Sequence, residues 1–167
     1  MKVVIIAVLL MLSAICSATE TAFSSCNRIR LKKLADDGNK SAKKAMNICD
    51  NFDKALTAIL VGNNVVNISS SSIATVLFTE KFGKGSVGLA TIVMTVLVLI
   101  FGEILPKSLA KENSERFSIL MAAPLSAFMF IITPITAIFM GIKSGVSKLV
   151  GLSLIHISEP TRLDVIS

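Results

Sequence analysis

The 167-residue sequence contains no tryptophan, no tyrosine, one histidine and three cysteines, and only 17% of it is charged. Lacking Trp and Tyr, a membrane protein would have no interfacial aromatic belt, but the belt is an enrichment and its absence does not exclude a membrane. The cysteines, Cys16, Cys26 and Cys49, form no CxxC pair and no zinc spacing, so neither a disulfide framework nor a zinc site is indicated. Soluble domains carry about 25% charge and about 45–50% apolar residues. Here the hydrophobic share is 53% and the mean hydropathy +0.75, so a water-soluble globule is excluded. Seventeen basic and eleven acidic residues give +6, but they fall in the gaps between apolar runs. That placement speaks against nucleic-acid binding and for an integral membrane protein.

One stretch stands apart. Leu152–Arg162 reads LSLIHISEPTR, which looks like the in-frame translation of a transposase adapter used in sequencing libraries. Segments of that origin are excluded from fold reasoning. The expectation is a native membrane domain over residues 1–151 and a non-native segment over 152–167, which leaves His156 without functional meaning.

Four runs are long enough to cross about 30 Å of hydrocarbon at about 1.5 Å per residue. They are Val3–Asn27, broken by Glu20; Ala55–Thr79, uncharged; Ser86–Pro106, broken by Glu103; and Phe117–Ile142, uncharged but carrying Pro124 and Pro134. The first run also has the outline of a signal peptide, with Lys2 and the small residues Cys16-Ser17-Ala18. Its apolar character continues past that point and its polar residues keep helical spacing, so a retained helix is expected.

Arg28–Lys54 holds eight basic and four acidic residues, which by the positive-inside rule puts it on the cytoplasmic side. Asn39–Asn51 has Ala42, Ala45, Met46 and Cys49 on one face and lysines mostly opposite. That pattern suits a helix lying on the membrane surface or a merely solvated one. The topology that follows has the N-terminus outside, an outer turn at Glu80–Gly85 and the third helix returning inward. The prolines of the fourth run suit a hairpin that re-enters the membrane and turns between Ile131 and Pro134. The expected fold class is an all-α membrane protein: three transmembrane helices, a proline-broken re-entrant hairpin and a basic juxtamembrane helix.

Polar residues inside such runs carry the chemistry. Ser13, Ser17, Glu20 and Ser24 share one face of the first helix, and Asn63, Asn67, Ser70 and Ser71 one face of the second. A carboxylate such as Glu103 inside a membrane helix signals a functional site by default. Pro106 has no N–H, so the Gly102 carbonyl loses its α-helical donor beside Glu103. The whole set consists of hard oxygen donors, which suit Mg²⁺, Ca²⁺ or, at lower charge, Na⁺. Small polar residues also serve as interhelical packing, and Glu103 could snorkel to the interface. The coincidence of all three groups favours ion handling. No nucleophile–base pair is present, so an enzyme is not expected.

SAICSATETAF (Ser13–Phe23), LVGNNVVNISSSSIAT (Leu60–Thr75) and FGEILPKSLA (Phe101–Ala110) resemble the membrane domain of the CorC / cyclin M (CNNM) family of magnesium transporters. The likeness covers essentially all of Met1–Gly151. It implies a homodimer in a bacterial-type plasma membrane, with a dehydrated Mg²⁺ site in each subunit. The motif matches assign that site to Ser17, Asn67, the backbone oxygen of Gly102, and Glu103, with Asn63, Ser70 and Ser71 as weaker choices. The resemblance further implies Mg²⁺ export, with Na⁺ as a candidate coupling ion. A non-transporting scaffold or magnesium sensor is the alternative. Relatives continue into CBS modules that bind ATP-Mg; nothing in this sequence corresponds to them, so an ATP site is expected only there.

Overall fold

The computed structural model describes the backbone of residues 1–149 and the side chains of residues 1–134. The expected segment 152–167 lies outside the described residues. Contacts divide the chain into Met1–Thr133 and a second unit from Pro134 onward. The first of these carries all that follows.

Every element in it is helical. Helix α1 (Lys2–Ser25) is followed by two short helices, α2 (Arg28–Asp36) and α3 (Lys40–Asp50). Both short helices begin where an asparagine side chain can accept from orphan backbone donors. Asn27 Oδ1 accepts from the N–H of Ile29 and Arg30, and Asn39 Oδ1 from those of Ser41 and Ala42. Gly38, at φ +90°, closes α2 in a conformation that side chains with a Cβ adopt only under strain. The sequence pattern anticipates α3 but misses α2, a nine-residue helix that buries only Leu31 and half-buries Leu34 among charged positions.

Helix α4 (Phe52–Phe82) has 31 residues, about 46 Å of helix. Gly83, at φ +84°, and a 3₁₀ turn at Lys84–Ser86 reverse the chain, as the sequence predicts. The third long element is composite: α5 (Val87–Leu97), a π-helical segment at Val98–Ile104, and α6 (Leu105–Glu112). Helix α7 starts at Ser114 and is helical through Leu149. The turn expected between Ile131 and Pro134 is not formed. A proline removes one helical donor and favours a kink, but it does not oblige the chain to reverse.

Three described helical stretches are long and apolar enough to cross a membrane: Lys2–Ser25, Lys84–Glu112 and Ser114–Pro134. Helix α4 is long enough as well, but its asparagines and serines make it less apolar than these three. Its polar face is turned to α1 instead of lipid, with Asn63 and Ser70 buried. Contacts fix the directions. Lys2 pairs with Glu80, Ile6 packs with Ala74, and Phe23 clusters with Ala55 and Ile59, so α1 and α4 are antiparallel. Met94 meets Ile6, and Ala110 meets Ala18 and Ala22, so the third element runs parallel to α1. Ala18 and Ala22, one turn apart, allow that close approach.

The outward faces remain apolar and uncovered: Val4, Val8, Met11 and Ile15 on α1, and Ile92, Val96 and Leu99 on the third element, are all exposed. In water such continuous apolar surface is untenable, whereas in a bilayer it is the expected exterior. The apolar face of α3 has a different use from the membrane surface expected of it. Ala45, Ile48 and Cys49 are buried in a cluster with Phe23, Leu31, Ile59, Ala122 and Leu125, so α3 docks on protein and shows its lysines outward.

Candidate functional site

The polar faces of α1 and α4 meet near their middles. Ser13 Oγ donates to Asn63 Oδ1 at 2.9 Å, and both residues are buried. Asn67 Nδ2 reaches the same oxygen at 3.5 Å. Ser70 Oγ donates to the Asn67 carbonyl at 2.9 Å, one turn back along α4. This ladder spends the amide nitrogen of Asn67 and leaves its oxygen over. Among the described residues Asn67 Oδ1 is buried without a hydrogen-bond partner, and so is Ser17 Oγ on α1. Side chains lean toward the N-terminus of their own helix. Because α1 and α4 are antiparallel, Ser17 leans toward the level of Asn67 and Asn67 toward that of Ser17.

The third element closes the site with its π segment. Leu105 N–H bonds to the Ile100 carbonyl, five residues back, where an α-helix would use the fourth. Pro106 follows at once. It cannot serve Gly102 in the α register or Phe101 in the π register, so the register change and the missing donor fall together. Gly102 is buried against α1: a Cβ built there would sit 3.0 Å from Ser13 Oγ. Any larger residue would push on the hydroxyl that holds Asn63. Glu103 is half-buried and, among the described residues, makes no hydrogen bond or ion pair.

Of the residues singled out in the sequence, Asn63, Asn67, Ser70 and Gly102 are thus joined by contact, Gly102 through Ser13. Ser17 lies one turn along α1 from Ser13, and Glu103 adjoins Gly102. Ser71 is tied in only through its carbonyl, which accepts from Thr75 Oγ1 at 2.9 Å, so it stands apart. Ser13 shares the polar row of α1 and joins the site through Asn63, and its spacing to Ser17 is the signal that sequence offers for it. Glu20, on the same row, faces Lys107 Nζ at 3.6 Å and has a partner. No group of three His, Cys, Asp or Glu side chains that could hold a metal exists among the described residues. The donor set is therefore hydroxyl, amide and carbonyl oxygen with one carboxylate, the chemistry of a hard cation. Buried polar atoms are nearly always satisfied, and two orphaned oxygens on the facing helices α1 and α4 need an account.

Bundle, apolar exterior and buried polar seam define an all-α integral membrane protein. The chain belongs to the family described as the cyclin M transmembrane N-terminal domain, which matches residues 4–165. It is 37% identical over 151 residues to a UPF0053 protein of Haemophilus influenzae, covering 90% of this chain and 36% of the relative. It is 31% identical to the UPF0053 inner membrane protein YfjD of Escherichia coli, over 84% of this chain and 33% of that one. A more distant relative, the polyamine export protein of Escherichia coli, is 22% identical over 98% of this chain and 40% of its own length. The chain spans about a third of the length of the first two relatives.

Proposed function

We propose that this chain is the membrane domain of a divalent-cation transporter that carries Mg²⁺ outward, with Na⁺ as the coupling ion. The cation is held by Ser17, Asn67, the Gly102 carbonyl and Glu103, while Asn63 and Ser70 position Asn67. The observation that carries this reading is the pair of buried, unpartnered oxygens, Ser17 Oγ and Asn67 Oδ1. A cation between α1 and α4 supplies the partner that the protein does not. One carboxylate leaves a bound divalent ion with residual positive charge, which suits a site that must also release it. The positive-inside rule supports a cytoplasmic α2–α3 hairpin and an outer N-terminus. The exposed apolar faces leave room for a second copy, and a homodimer is part of the proposal. Polyamine cargo is less well served, because an extended polycation needs several spaced carboxylates and Glu20 is already paired with Lys107.

Flux tests the reading. Proteoliposomes with the parent chain should move Mg²⁺, and Glu103→Ala should abolish the movement. Mg²⁺ binding by calorimetry should weaken strongly in Glu103→Gln and much less in Glu20→Gln. Equal affinity of Glu103→Gln and parent would overturn the site. Binding without flux would make the chain a non-transporting scaffold or magnesium sensor.

A further inference from the structure

The three free cysteines are not equivalent. Cys16 lies within α1, while Cys26, just after α1, and Cys49, in the last turn of α3, bring their sulfurs to 3.5 Å. The two are 23 residues apart in sequence, and their contact joins the end of a membrane helix to the basic hairpin. Around the pair, Arg28 Nη2 donates to the Cys49 carbonyl at 2.9 Å, and Cys26 Sγ reaches the Phe23 carbonyl at 3.3 Å. Cys49 is buried and Cys26 half-buried, so one sulfur is reachable and the other sits behind it. No third metal-ligating side chain joins them among the described residues, which argues against a soft-metal site.

We propose that Cys26 and Cys49 form a peroxide-sensitive thiol pair, in which Cys26 is the attacking sulfur and Cys49 resolves it to an intramolecular disulfide. Closing the gap from 3.5 Å to a bond of about 2.05 Å requires only about 1.5 Å of side-chain movement. In the first step the Cys26 thiolate attacks one oxygen of hydrogen peroxide. The S–O bond forms, the O–O bond breaks, and the departing hydroxide takes a proton to become water. In the second, Cys49 sulfur attacks the sulfenic sulfur, the S–S bond forms, and the S–O oxygen leaves with the Cys49 proton as a second water. Two thiols are oxidised by two electrons and one peroxide is reduced to two waters. The hydrogen bond from the Cys49 thiol lowers the Cys26 pKa to about 7 and pushes that of Cys49 up. Exposure assigns the roles, since Cys26 is the less buried sulfur, and the lowered pKa agrees because the thiolate is the nucleophile. Burial opposes the lowering at Cys26, and Ser118 and Arg28 assist it. The product would staple α3 to the end of α1.

The test treats the purified full chain in detergent micelles with graded hydrogen peroxide and reads intact mass and peptide maps. A loss of two hydrogens, mapped to a 26–49 link and reversed by dithiothreitol, is the expected result. Cys49→Ser should instead accumulate a dimedone-trapped sulfenic acid at Cys26, and Cys26→Ser should give no link. Links through Cys16, intermolecular dimers, stepwise over-oxidation of Cys26 in the parent, or no reaction would each overturn the assignment.

Discussion

Ser17→Ala separates a packing role from a liganding role by the sign of its effect. Ser17 is fully buried and its hydroxyl has no partner among the described residues. If the hydroxyl is a ligand, the cation-free protein carries an unsatisfied polar group. An unpaired buried donor or acceptor costs about 1–3 kcal/mol. Removing it should therefore raise the stability of the cation-free chain by about 1 kcal/mol or more. With Mg²⁺ at about 100 times its Kd, the parent gains about 2.7 kcal/mol from binding. Losing one oxygen ligand that weakens affinity about tenfold removes about 1.4 kcal/mol of that gain. Thermal unfolding in detergent, with EDTA and with excess MgCl₂, should thus show the variant ahead without Mg²⁺ and its lead removed or reversed with it. Ser69→Ala is the control. Its hydroxyl donates to the Val65 carbonyl on an exposed face, at 2.7 Å, and its removal should leave the Mg²⁺ increment unchanged. A Ser17→Ala protein that is less stable without Mg²⁺, or that keeps the full Mg²⁺ increment, would refute the liganding role.

Orientation is open to impermeant thiol reagents in a background lacking Cys16, Cys26 and Cys49. Asp37→Cys should be protected in intact cells and Lys84→Cys labelled, these exposed neighbours being preferable to Gly38 and Gly83, whose positive φ disfavours a side chain. The reverse pattern would invert the topology. Alkylation of Cys26 should reach half its maximal rate near pH 7, because the Cys49 hydrogen bond holds the thiolate form at lower pH than an ordinary thiol. Thiolate falls as pH drops through that value, so the rate should fall with it. In Cys49→Ala, which removes the donor, the profile should move toward higher pH; an unchanged profile would assign the shift to Arg28 and Ser118 instead.

Much of this architecture was legible because bilayer length and side-chain polarity leave few choices. The α1 boundary, the turn at Gly83 and helix α3 follow from run length, glycine and period. Helix α2 was not legible, since Leu31 and Leu34 alone, in nine residues dominated by charge, are too few for a period to stand out. Nor was the docking of α3 on protein, because an amphipathic face looks the same whether it meets lipid or Phe23, Leu31 and Ile59. The fourth run was misread at Ile131–Pro134 because proline in sequence reports a lost donor, and the direction of the chain beyond it depends on packing.

The candidate site was legible as a list of oxygens but not as a geometry, and the π segment is the reason. At a uniform 3.6-residue period Glu103 and Lys107 are i and i+4 and share a face, so a pair between them is the local expectation. The chain instead widens its turns across Val98–Ile104, so residues on either side no longer keep α-helical phase. Lys107 reaches Glu20 on α1, while Glu103 is left without a partner among the described residues. Gly102 contributes to the same result: with no Cβ it allows the segment to sit against Ser13. A carboxylate freed from its nearest lysine, beside a carbonyl that proline deprives of its α-register donor, is available to a cation. In an uninterrupted helix the lysine would occupy it. On the proposed reading, the register change and the Lys107–Glu20 pair together leave the Glu103 carboxylate open to the ion.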